Sequence, residues 1–303
     1  MRIMRAREEF IDYLKVNRRY SPRTQILYRE YISELYEFVA PDSEEDFLSS
    51  LKPNVIRGFI AQGLDSGLSP RTMNLKLSSI SSFCSYLMRK ELIASNPVKK
   101  VYRPKQSKKL PEFYVQSAME NYYDKEFDAT DFLAVRDRMV VSTLYSTGIR
   151  RAELASLKIS DWDRSRSLFR ITGKGDKIRE VPVSGLLAEE LNRYLASFDG
   201  YYAENPGGYL FLTDSGQPFY LSFVNKIVSR ELGKTAGFTG KKSPHILRHS
   251  IATHLLNNGA DLNSIKEVLG HSSLAATQVY THNSFEQLKK IYLTAHPRAK
   301  KGG

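Results

Sequence analysis

The stretch at residues 243–249 reads SPHILRH, and it decides how this part of the chain folds. Ser243 followed by Pro244 is typical of a helix start, with the serine as the cap and the proline in the first turn. His245 and Arg248 then lie three residues apart, on one face of the helix. A helix N-terminus attracts anions, and a guanidinium adds a forked donor for phosphate oxygens. The stretch therefore predicts an anion site.

A metal site is the alternative interpretation of this helix. His245 and His249 have the spacing of a helical zinc pair. However, Ile246 stands where such a pair has a general-base Glu, and Arg248 would place a cation beside the metal. We therefore expect no metal here. His249 and His254 are interpreted as structural, because apolar residues of the same helix mark the neighbouring core face.

The sequence around this helix predicts a mixed domain. Apolar periodicity and glycine stop signals predict helices at 131–146, 151–158, 185–197, 221–232, 244–257, 261–269 and 284–294. Two strands, 168–172 and 177–183, are joined by a tight turn at residues 173–176. The fold class is therefore mainly α, with a small β-sheet in the second domain.

The first hundred residues show four helical patterns and predict a small bundle. The tetrapeptide Ser-Pro-Arg-Thr occurs twice, at residues 21–24 and 69–72, each time at a helix start. One interpretation of the repeat is coincident capping chemistry. A functional interpretation is that Arg23 and Arg71 each bind a phosphate together with backbone N–H groups of their own helix.

A basic segment separates the two parts. Between Pro97 and Pro111, with Pro104 inside, six cations occur without an acid: Lys99, Lys100, Arg103, Lys105, Lys108 and Lys109. Prolines disfavour helix there, so the segment is predicted to be an extended linker that either binds a polyanion or is simply solvated. The predicted domains are a helical domain at 1–98, the linker at 99–111 and a mixed helical and β-sheet domain at 112–303.

Composition excludes several classes of protein. The 303 residues carry a net charge of +12 and are 41% hydrophobic, which excludes a disordered chain. The apolar runs are too short for a membrane-spanning helix or a signal peptide, so we expect a cytoplasmic protein. Cys84 is the one cysteine, so disulfides, multi-cysteine zinc sites and iron–sulfur clusters are excluded, and a buried, inert thiol is expected.

Five short motifs follow each other along the chain. They are TGIRRAEL at 147–154, GKG at 173–175, HILRH at 245–249, LGH at 269–271 and YTH at 280–282. In this order they resemble the boxes of the tyrosine recombinase family. The resemblance covers nearly the whole chain, and it implies a DNA-binding domain at 1–98 and a catalytic domain at 112–303. The ending His296-Pro297-Arg298-Ala299 resembles the Xer subgroup.

The resemblance implies a role for each catalytic candidate. They are Arg150, Lys174, His245, Arg248, His271 and the nucleophile Tyr280, with Glu153 orienting the pocket from behind. Tyr280 attacks the scissile phosphate to form a 3′-phosphotyrosyl enzyme, and His245 takes its proton. Lys174 protonates the departing 5′ oxygen, while the arginines and His271 stabilise the phosphorane. No metal and no other cofactor is implied.

The resemblance also implies partners. Double-stranded DNA at a specific site is the substrate, and the terminal helix at about 284–294 docks on a neighbouring protomer in a DNA-assembled tetramer. Packing of that helix on its own core is the alternative. A second recombinase and a DNA translocase are possible further partners, and no membrane is implied.

Several functions remain open at this level. Resolution of chromosome or plasmid dimers competes with integration or inversion of a mobile element. A type IB topoisomerase and a catalytically silent DNA-binding protein are the remaining alternatives.

Overall fold

The computed structural model describes residues 5–106, 112–173, 177–270 and 282–299, the segment 282–288 only as part of a helix. Five predicted site residues lie outside these ranges: Lys108, Lys109, Lys174, His271 and Tyr280. The chain divides into two compact units between Lys109 and Leu110. No helix in the described ranges is both long enough and apolar enough to cross a bilayer.

The first unit has one helix more than predicted among its described residues. Its helices are α1 (Arg5–Val16), α2 (Pro22–Val39), α3 (Glu44–Ser50), α4 (Pro53–Asp65) and α5 (Pro70–Arg89). The additional helix, α3, is capped by Ser43, whose hydroxyl accepts the Asp46 N–H at 3.1 Å. It buries only Phe47. A seven-residue helix with one buried residue leaves no periodic signal in the sequence, which explains the omission.

The core of this unit contains buried residues from all five helices. Phe10 and Phe83 are fully buried, with ring centroids 5.3 Å apart. Two residues of the predicted apolar patterns, Ile26 and Leu75, are instead 44% and 55% exposed. Cys84 is fully buried, and burial raises the pKa of its thiol to about 12. The prediction of a buried, inert thiol is confirmed.

Helices α2 and α5 run antiparallel. Lys76 of α5 pairs with Glu34 of α2, while the Phe10 ring contacts both Tyr28, early in α2, and Phe83, late in α5. The two Ser-Pro-Arg-Thr helix starts therefore lie at opposite ends of the pair. Both serines cap as predicted, each hydroxyl accepting the backbone N–H three residues on, at 3.3 and 3.1 Å.

The basic segment is not an extended linker over its first part. Residues Pro97–Lys100 form a 3-10 helix, which includes two of the predicted linker cations. Arg103 donates to the Ser78 hydroxyl at 2.9 Å, and the Asn74 amide donates to the Pro104 carbonyl at 2.8 Å. The chain here folds back on α5, because its polar groups find partners that a proline-based argument does not reveal.

The second unit surrounds one buried helix, α7. Its helices are α6 (Gln116–Asp124), α7 (Phe132–Thr147), α8 (Arg151–Ser156), α9 (Gly185–Tyr201), α10 (Leu221–Gly233), α11 (Pro244–Asn257), α12 (Leu262–Leu269) and α13 (His282–Ala295). Helix α7 packs against α9, α10 and α11. All seven predicted helices are present within a few residues, whereas α6 was not predicted.

The small sheet has three antiparallel strands in the order β1 (Trp162–Asp163), β2 (Leu168–Thr172) and β3 (Ile178–Pro182). The register pairs Leu168 with Pro182 and Thr172 with Ile178. The predicted hairpin is therefore present, and the two-residue strand β1 adds an edge that was too short to predict. Mainly α with a small sheet is confirmed as the fold class.

The C-terminal segment packs on its own unit over its described part. Tyr292 is buried and donates its hydroxyl to the Ser146 carbonyl. Arg298 binds Glu190 through both terminal nitrogens, and its guanidinium carbon lies 3.8 Å from the centroid of the Tyr123 ring. This arrangement corresponds to the alternative in which the terminal helix belongs to its own core.

Candidate active site

A tight crossing of two helix ends positions the first arginine. Gly148 ends α7 with φ +62°, a conformation that disfavours side chains. A Cβ at this position would lie 2.4 Å from Leu269 Cδ2 of α12. The glycine therefore lets the chain pass directly against α12 and reach Arg150, the residue that precedes α8.

Arg150 and Glu153 close the start of α8 on each other. The Arg150 backbone N–H donates to Glu153 Oε2 at 2.7 Å, and its side-chain Nη1 donates to Oε1 at 3.0 Å. The other terminal nitrogen donates to the Gly270 carbonyl at 2.7 Å. The Arg150 side chain is still 43% exposed. The guanidinium therefore faces solvent, while Glu153 and the Gly270 carbonyl fix its orientation.

Arg248 lies deeper, at the meeting point of three helices. It is 8% exposed and donates to the Gly148 carbonyl at 2.5 Å and the Leu269 carbonyl at 2.6 Å. Burial, reinforced by the nearby Arg150 and Arg179 charges, lowers the pKa of Arg248 to about 10. The side chain is thus a cation at neutral pH, held by the carbonyl ends of α7 and α12.

Arg179 on β3 completes the group, and the sequence analysis missed it. Its Nη1 and Nη2 donate to the two oxygens of Glu153 at 2.9 and 2.8 Å, and its Nε donates to the Val268 carbonyl at 3.0 Å. One sequence signal was available: Arg179 lies on β3, the strand that follows the Gly-Lys-Gly motif. A charged residue on an edge-exposed hairpin is ordinarily solvated, so that signal was weak.

Two guanidiniums therefore bind one carboxylate, and a third, that of Arg248, interacts with it electrostatically. Glu153 is 7% exposed; burial raises the pKa of its carboxyl, but hydrogen bonds from Arg179 and Arg150 outweigh burial and lower it overall. It remains a carboxylate at neutral pH, and the group keeps a net charge of about +2 by formal counting. Excess positive charge in a partly buried place binds an anion.

The two histidines at the start of α11 contact each other. The Nε2 atoms of His245 and His249 are 3.0 Å apart, with the rings nearly perpendicular at 80°. His245 is exposed and His249 is half-buried. The prediction that His249 is merely structural therefore omits its contact with a catalytic candidate. Across the described ranges, no three His, Cys, Asp or Glu side chains are grouped so that they could hold a metal ion.

His254 has the structural place that the sequence suggested. It is 3% exposed, its Nε2–H donates to the Tyr114 carbonyl at 2.8 Å, and its Nδ1 accepts the Tyr145 hydroxyl at 2.8 Å. Burial lowers the pKa of its imidazole, so the ring is neutral and its tautomer is fixed by these two partners.

A basic cleft of about 1090 Å³ opens in front of Arg150, Arg248 and His245. Within the described ranges, no Asp or Glu lines it. Six Lys and Arg side chains do: Arg150, Arg151, Lys226, Lys241, Lys242 and Arg248. Four of these six were not predicted. Lys241 and Lys242 directly precede the cap of α11, which the sequence could have indicated, whereas Lys226 of α10 is brought here only by packing.

Gly173, the residue before Lys174, lies beside this group. A Cβ on Gly173 would lie 3.7 Å from Glu153 Oε1. The Gly173 N–H donates to the Lys177 carbonyl at 2.8 Å. Lys174 itself lies outside the described residues.

The DNA-binding candidates of the first unit are exposed. Arg23 and Arg71 lie on the first turns of α2 and α5, at opposite ends of that antiparallel pair. Lys99, Lys100, Arg103 and Lys105 are also exposed, although Arg103 is bonded to α5. The structure does not bring these residues to one place.

Comparison with known proteins shows the family of this chain. The model of the phage integrase family matches residues 110–287, and that of the phage integrase N-terminal SAM-like domain matches residues 8–91. The chain is 38% identical to the tyrosine recombinase XerC of Bacillus licheniformis, over 97% of this chain and 96% of the relative. It is 34% identical to the protein of the same name from Chlorobaculum parvum, over 96% and 94% of the two chains.

The chain therefore belongs to the phage integrase family. It is a site-specific tyrosine recombinase of the Xer type, an enzyme that cleaves and rejoins DNA.

Solved structures agree on the fold. The XerH site-specific recombinase bound to palindromic difH substrate superposes with a TM-score of 0.68 at 23% identity, covering 91% of this chain and 78% of that one. The Tn1549 transposon integrase in complex with circular intermediate DNA has a TM-score of 0.67 at 18% identity, covering 93% and 98%.

Proposed function

We propose that this recombinase exchanges strands by transient covalent attachment of Tyr280 to DNA, at the cleft formed by Arg150, Arg248 and His245. The observation that carries the proposal is a cluster of three guanidiniums with a single carboxylate: Arg150 and Arg179 bind Glu153, and Arg248 interacts with it electrostatically. Its surplus positive charge matches a phosphodiester that gains negative charge in the transition state. Arg is suited to this role because its fork meets two phosphate oxygens together.

The proposed step transfers the scissile phosphoryl group from the 5′ oxygen of DNA to the Tyr280 oxygen. The Tyr280 oxygen attacks the phosphorus, the tyrosyl O–P bond forms, and the bond to the 5′ oxygen breaks. His245 accepts the tyrosine proton, and Lys174 gives a proton to the departing 5′ oxygen. Rejoining is the reverse reaction with a 5′ hydroxyl of another strand, so bond energy is conserved and no cofactor is required.

The other candidates have supporting roles in this proposal. His271 donates a further hydrogen bond to the phosphorane. Glu153 holds Arg150 from behind, which the contacts at 2.7 and 3.0 Å support. His249, in contact with His245, helps to fix the ring that receives the proton.

The DNA backbone is proposed to follow the basic cleft. Lys226, Lys241 and Lys242 would neutralise phosphates on either side of the scissile one, releasing counterions. In the first unit, Arg23, Arg71 and the cations of residues 99–109 would bind further phosphates. The XerH and Tn1549 structures are DNA complexes, which supports duplex DNA as the substrate.

Resolution of chromosome or plasmid dimers is the proposed biological role, and the cytoplasm its place. The names of the full-length relatives support it, since Xer recombinases are expected to serve chromosome partition at cell division. Integration or inversion of a mobile element uses the same chemistry and is the alternative. No described residue separates the two, because the target sequence is read only in the complex.

The deciding experiment recovers denaturant-resistant protein–DNA adducts from cells and sequences the attached DNA. We expect adducts at one short chromosomal site, and none from Tyr280→Phe, which keeps its DNA affinity because only the hydroxyl is lost. Adducts at the ends of a movable segment would instead show the alternative role. Adducts that persist in Tyr280→Phe would refute the nucleophile, and tight DNA binding without adducts would indicate a silent binder or an enzyme that needs a second recombinase or a translocase.

A DNA-assembled tetramer is proposed because exchange between two duplexes needs four active sites. Tyr292 and Arg298 are bound within their own unit, so deletion of the tail would also damage that unit. The same contacts can form between protomers if the whole segment is exchanged. Sedimentation of the full chain on a duplex that carries two recombination sites should give a complex with four chains. A complex with two chains would contradict the proposal.

A further inference from the structure

A second cleft in the second unit has the opposite character to the basic one. Its volume is about 540 Å³, within the range of roughly 300–1,000 Å³ that is common for ligand sites, and it shares no lining residue with the basic cleft. Among the described residues no Lys or Arg lines it, whereas three tyrosines and two acids do: Tyr201, Tyr202, Tyr209, Glu204 and Asp214. We propose that this tyrosine cleft binds an arginine side chain of a partner protein.

Two tight turns form walls of the tyrosine cleft. In the first, the Asn205 side chain donates to the Tyr209 carbonyl and accepts the Tyr209 N–H, both at 2.9 Å. In the second, the Thr213 N–H donates to the Gln217 carbonyl at 2.8 Å, and the Thr213 hydroxyl accepts the Gln217 N–H at 3.1 Å. Each turn is closed by its own hydrogen bonds, so the cleft is already formed without a ligand, which lowers the cost of binding.

The tyrosine rings are held by their neighbours. Tyr202 is 8% exposed, and its hydroxyl donates to a backbone carbonyl at 2.9 Å. The Tyr209 ring lies directly against Gly207, where a Cβ would be 2.2 Å from Tyr209 Cε2. Tyr201 stacks on Phe132, with ring centroids 4.4 Å apart, and is still 45% exposed. Tyrosine rings attract a cation, and a planar guanidinium can also stack on them, which an ammonium cannot.

The two acids have capacity left for a cation. Asp214 Oδ1 accepts Arg136 Nη1–H at 2.7 Å, but the Asp214 side chain is 60% exposed and no described residue donates to its Oδ2. Arg136 also binds Asp137, which in turn binds Arg230, so these two arginines balance the two aspartates. Glu204 is exposed and makes no ion pair with the described residues, so it is the surplus charge. In a chain of net charge +12, a cleft with surplus negative charge favours a cation and disfavours DNA.

The charge distribution favours a partner protein as the source of the arginine. The basic cleft and the basic segment at 99–109 are both proposed above to bind DNA, so a second copy that is engaged on DNA has its main cationic segments occupied. The choice of source rests on those proposed DNA contacts. The tyrosine cleft itself does not, because none of its residues takes part in the proposed reaction.

The test is a titration of the full chain without DNA, followed by backbone amide chemical shifts. The probe is the capped peptide acetyl-Gly-Gly-Arg-Gly-Gly-amide. We expect shifts confined to residues 201–209 and 213–217, with a dissociation constant on the order of 1 mM. The same peptide with citrulline, which has nearly the shape of arginine without its charge, should bind about 10-fold more weakly. Equal binding of the two peptides, or no shifts in these residues at about 10 mM peptide, would overturn the inference.

Glu204→Gln tests the surplus charge. It should weaken binding of the arginine peptide roughly 3- to 5-fold, and it should fold normally because Glu204 is exposed. Asp199→Asn is the matched control: Asp199 is an exposed acid of the same region, on α9, but does not line the cleft. It should leave the affinity unchanged. Equal weakening in both variants would show general attraction to an acidic surface and overturn the site.

Two substitutions of Tyr209 test the ring. Tyr209→Phe keeps a ring face for the cation and should keep the affinity, whereas Tyr209→Leu should lose roughly 3-fold. Both variants retain the backbone bonds to Asn205, so the turn should remain closed. Equal affinities of the two variants for the arginine peptide would overturn the role of the ring.

Sedimentation of the chain alone, at the concentration of the titration, tests the source of the arginine. We expect a monomer. Self-association that Glu204→Gln abolishes would show a second copy as the occupant and overturn the proposal of a partner protein. The titration contains no DNA and no cleavage step, so its result is independent of adduct sequencing, which tests the proposed function.

Discussion

Replacement of Glu153 by Gln would remove the one carboxylate among three guanidiniums without changing its volume. In the folded protein Glu153 accepts four hydrogen bonds, two from Arg179 and two from Arg150. The amide that Glu153→Gln introduces keeps one oxygen but turns a donor NH2 toward a guanidinium donor. The charges of Arg179 and Arg248 then lack an adjacent anion.

The magnitude follows from the burial of the partners. Breaking a buried ion pair by removing one partner costs about 3–5 kcal/mol. The pair with Arg179 has side chains 14% and 6% exposed and carries most of this cost. The Arg150 side chain is 43% exposed, so solvent screens its share. We therefore expect a loss of about 3 kcal/mol, or roughly 6–12 °C in the melting temperature of the second unit.

The assay is thermal and urea unfolding at neutral pH, with and without phosphate. Phosphate should restore part of the stability of Glu153→Gln, because an anion bound to the folded state stabilises it by mass action. Glu180→Gln is the matched control: Glu180 pairs with Arg166, with side chains 29% and 35% exposed, and its loss should cost at most about 1 kcal/mol. A loss in Glu153→Gln no larger than in this control would refute the reasoning.

The same variant predicts a pH dependence of definite sign. The folded state lowers the pKa of the Glu153 carboxyl below its ordinary 4.5. Its contribution to stability is therefore complete above 4.5 and lost as the pH falls through the lower folded value. The stability difference between wild type and Glu153→Gln should shrink on acidification in that window. A difference that stays constant would show that the carboxylate does not titrate as described.

Two other substitutions test the local packing and the cleft. Gly148→Ala should destabilise the protein by about 2 kcal/mol or more, since it combines a positive φ with an added carbon against Leu269. Gly233→Ala, with open space around it, should not destabilise the protein. Differential scanning calorimetry compares the two variants, and equal melting temperatures would contradict the packing argument. Lys241→Ala combined with Lys242→Ala should reduce the slope of log affinity against log salt by about 2 in DNA-binding titrations. Lys234→Ala, a lysine paired with Glu231, is the control, and an unchanged slope in the double variant would remove these lysines from the DNA path.

Local patterns in the sequence determined most of the secondary structure. The caps at Ser21, Ser69 and Ser243 and the Gly-rich turn at 173–176 act within a few residues, so they can be read without the fold. Elements below this length scale were missed: α3, α6 and β1 are too short or too weakly periodic to leave a signal. The ordered motifs also named the catalytic candidates, because their order and content resemble those of the tyrosine recombinase family.

The sequence by itself determined which residues carry charge and which helices begin where; only the tertiary structure decided which of these charges meet. Arg150, Arg179 and Arg248 are far apart in the chain and come together because the start of α8 and strand β3 meet at Glu153, while Arg179 and Arg248 both bind carbonyls at the end of α12. Arg23 and Arg71 share a tetrapeptide and yet lie at opposite ends of an antiparallel pair. The physical reason is range: caps and turns depend on bonds three or four residues away, whereas the field at the cleft depends on packing between distant segments.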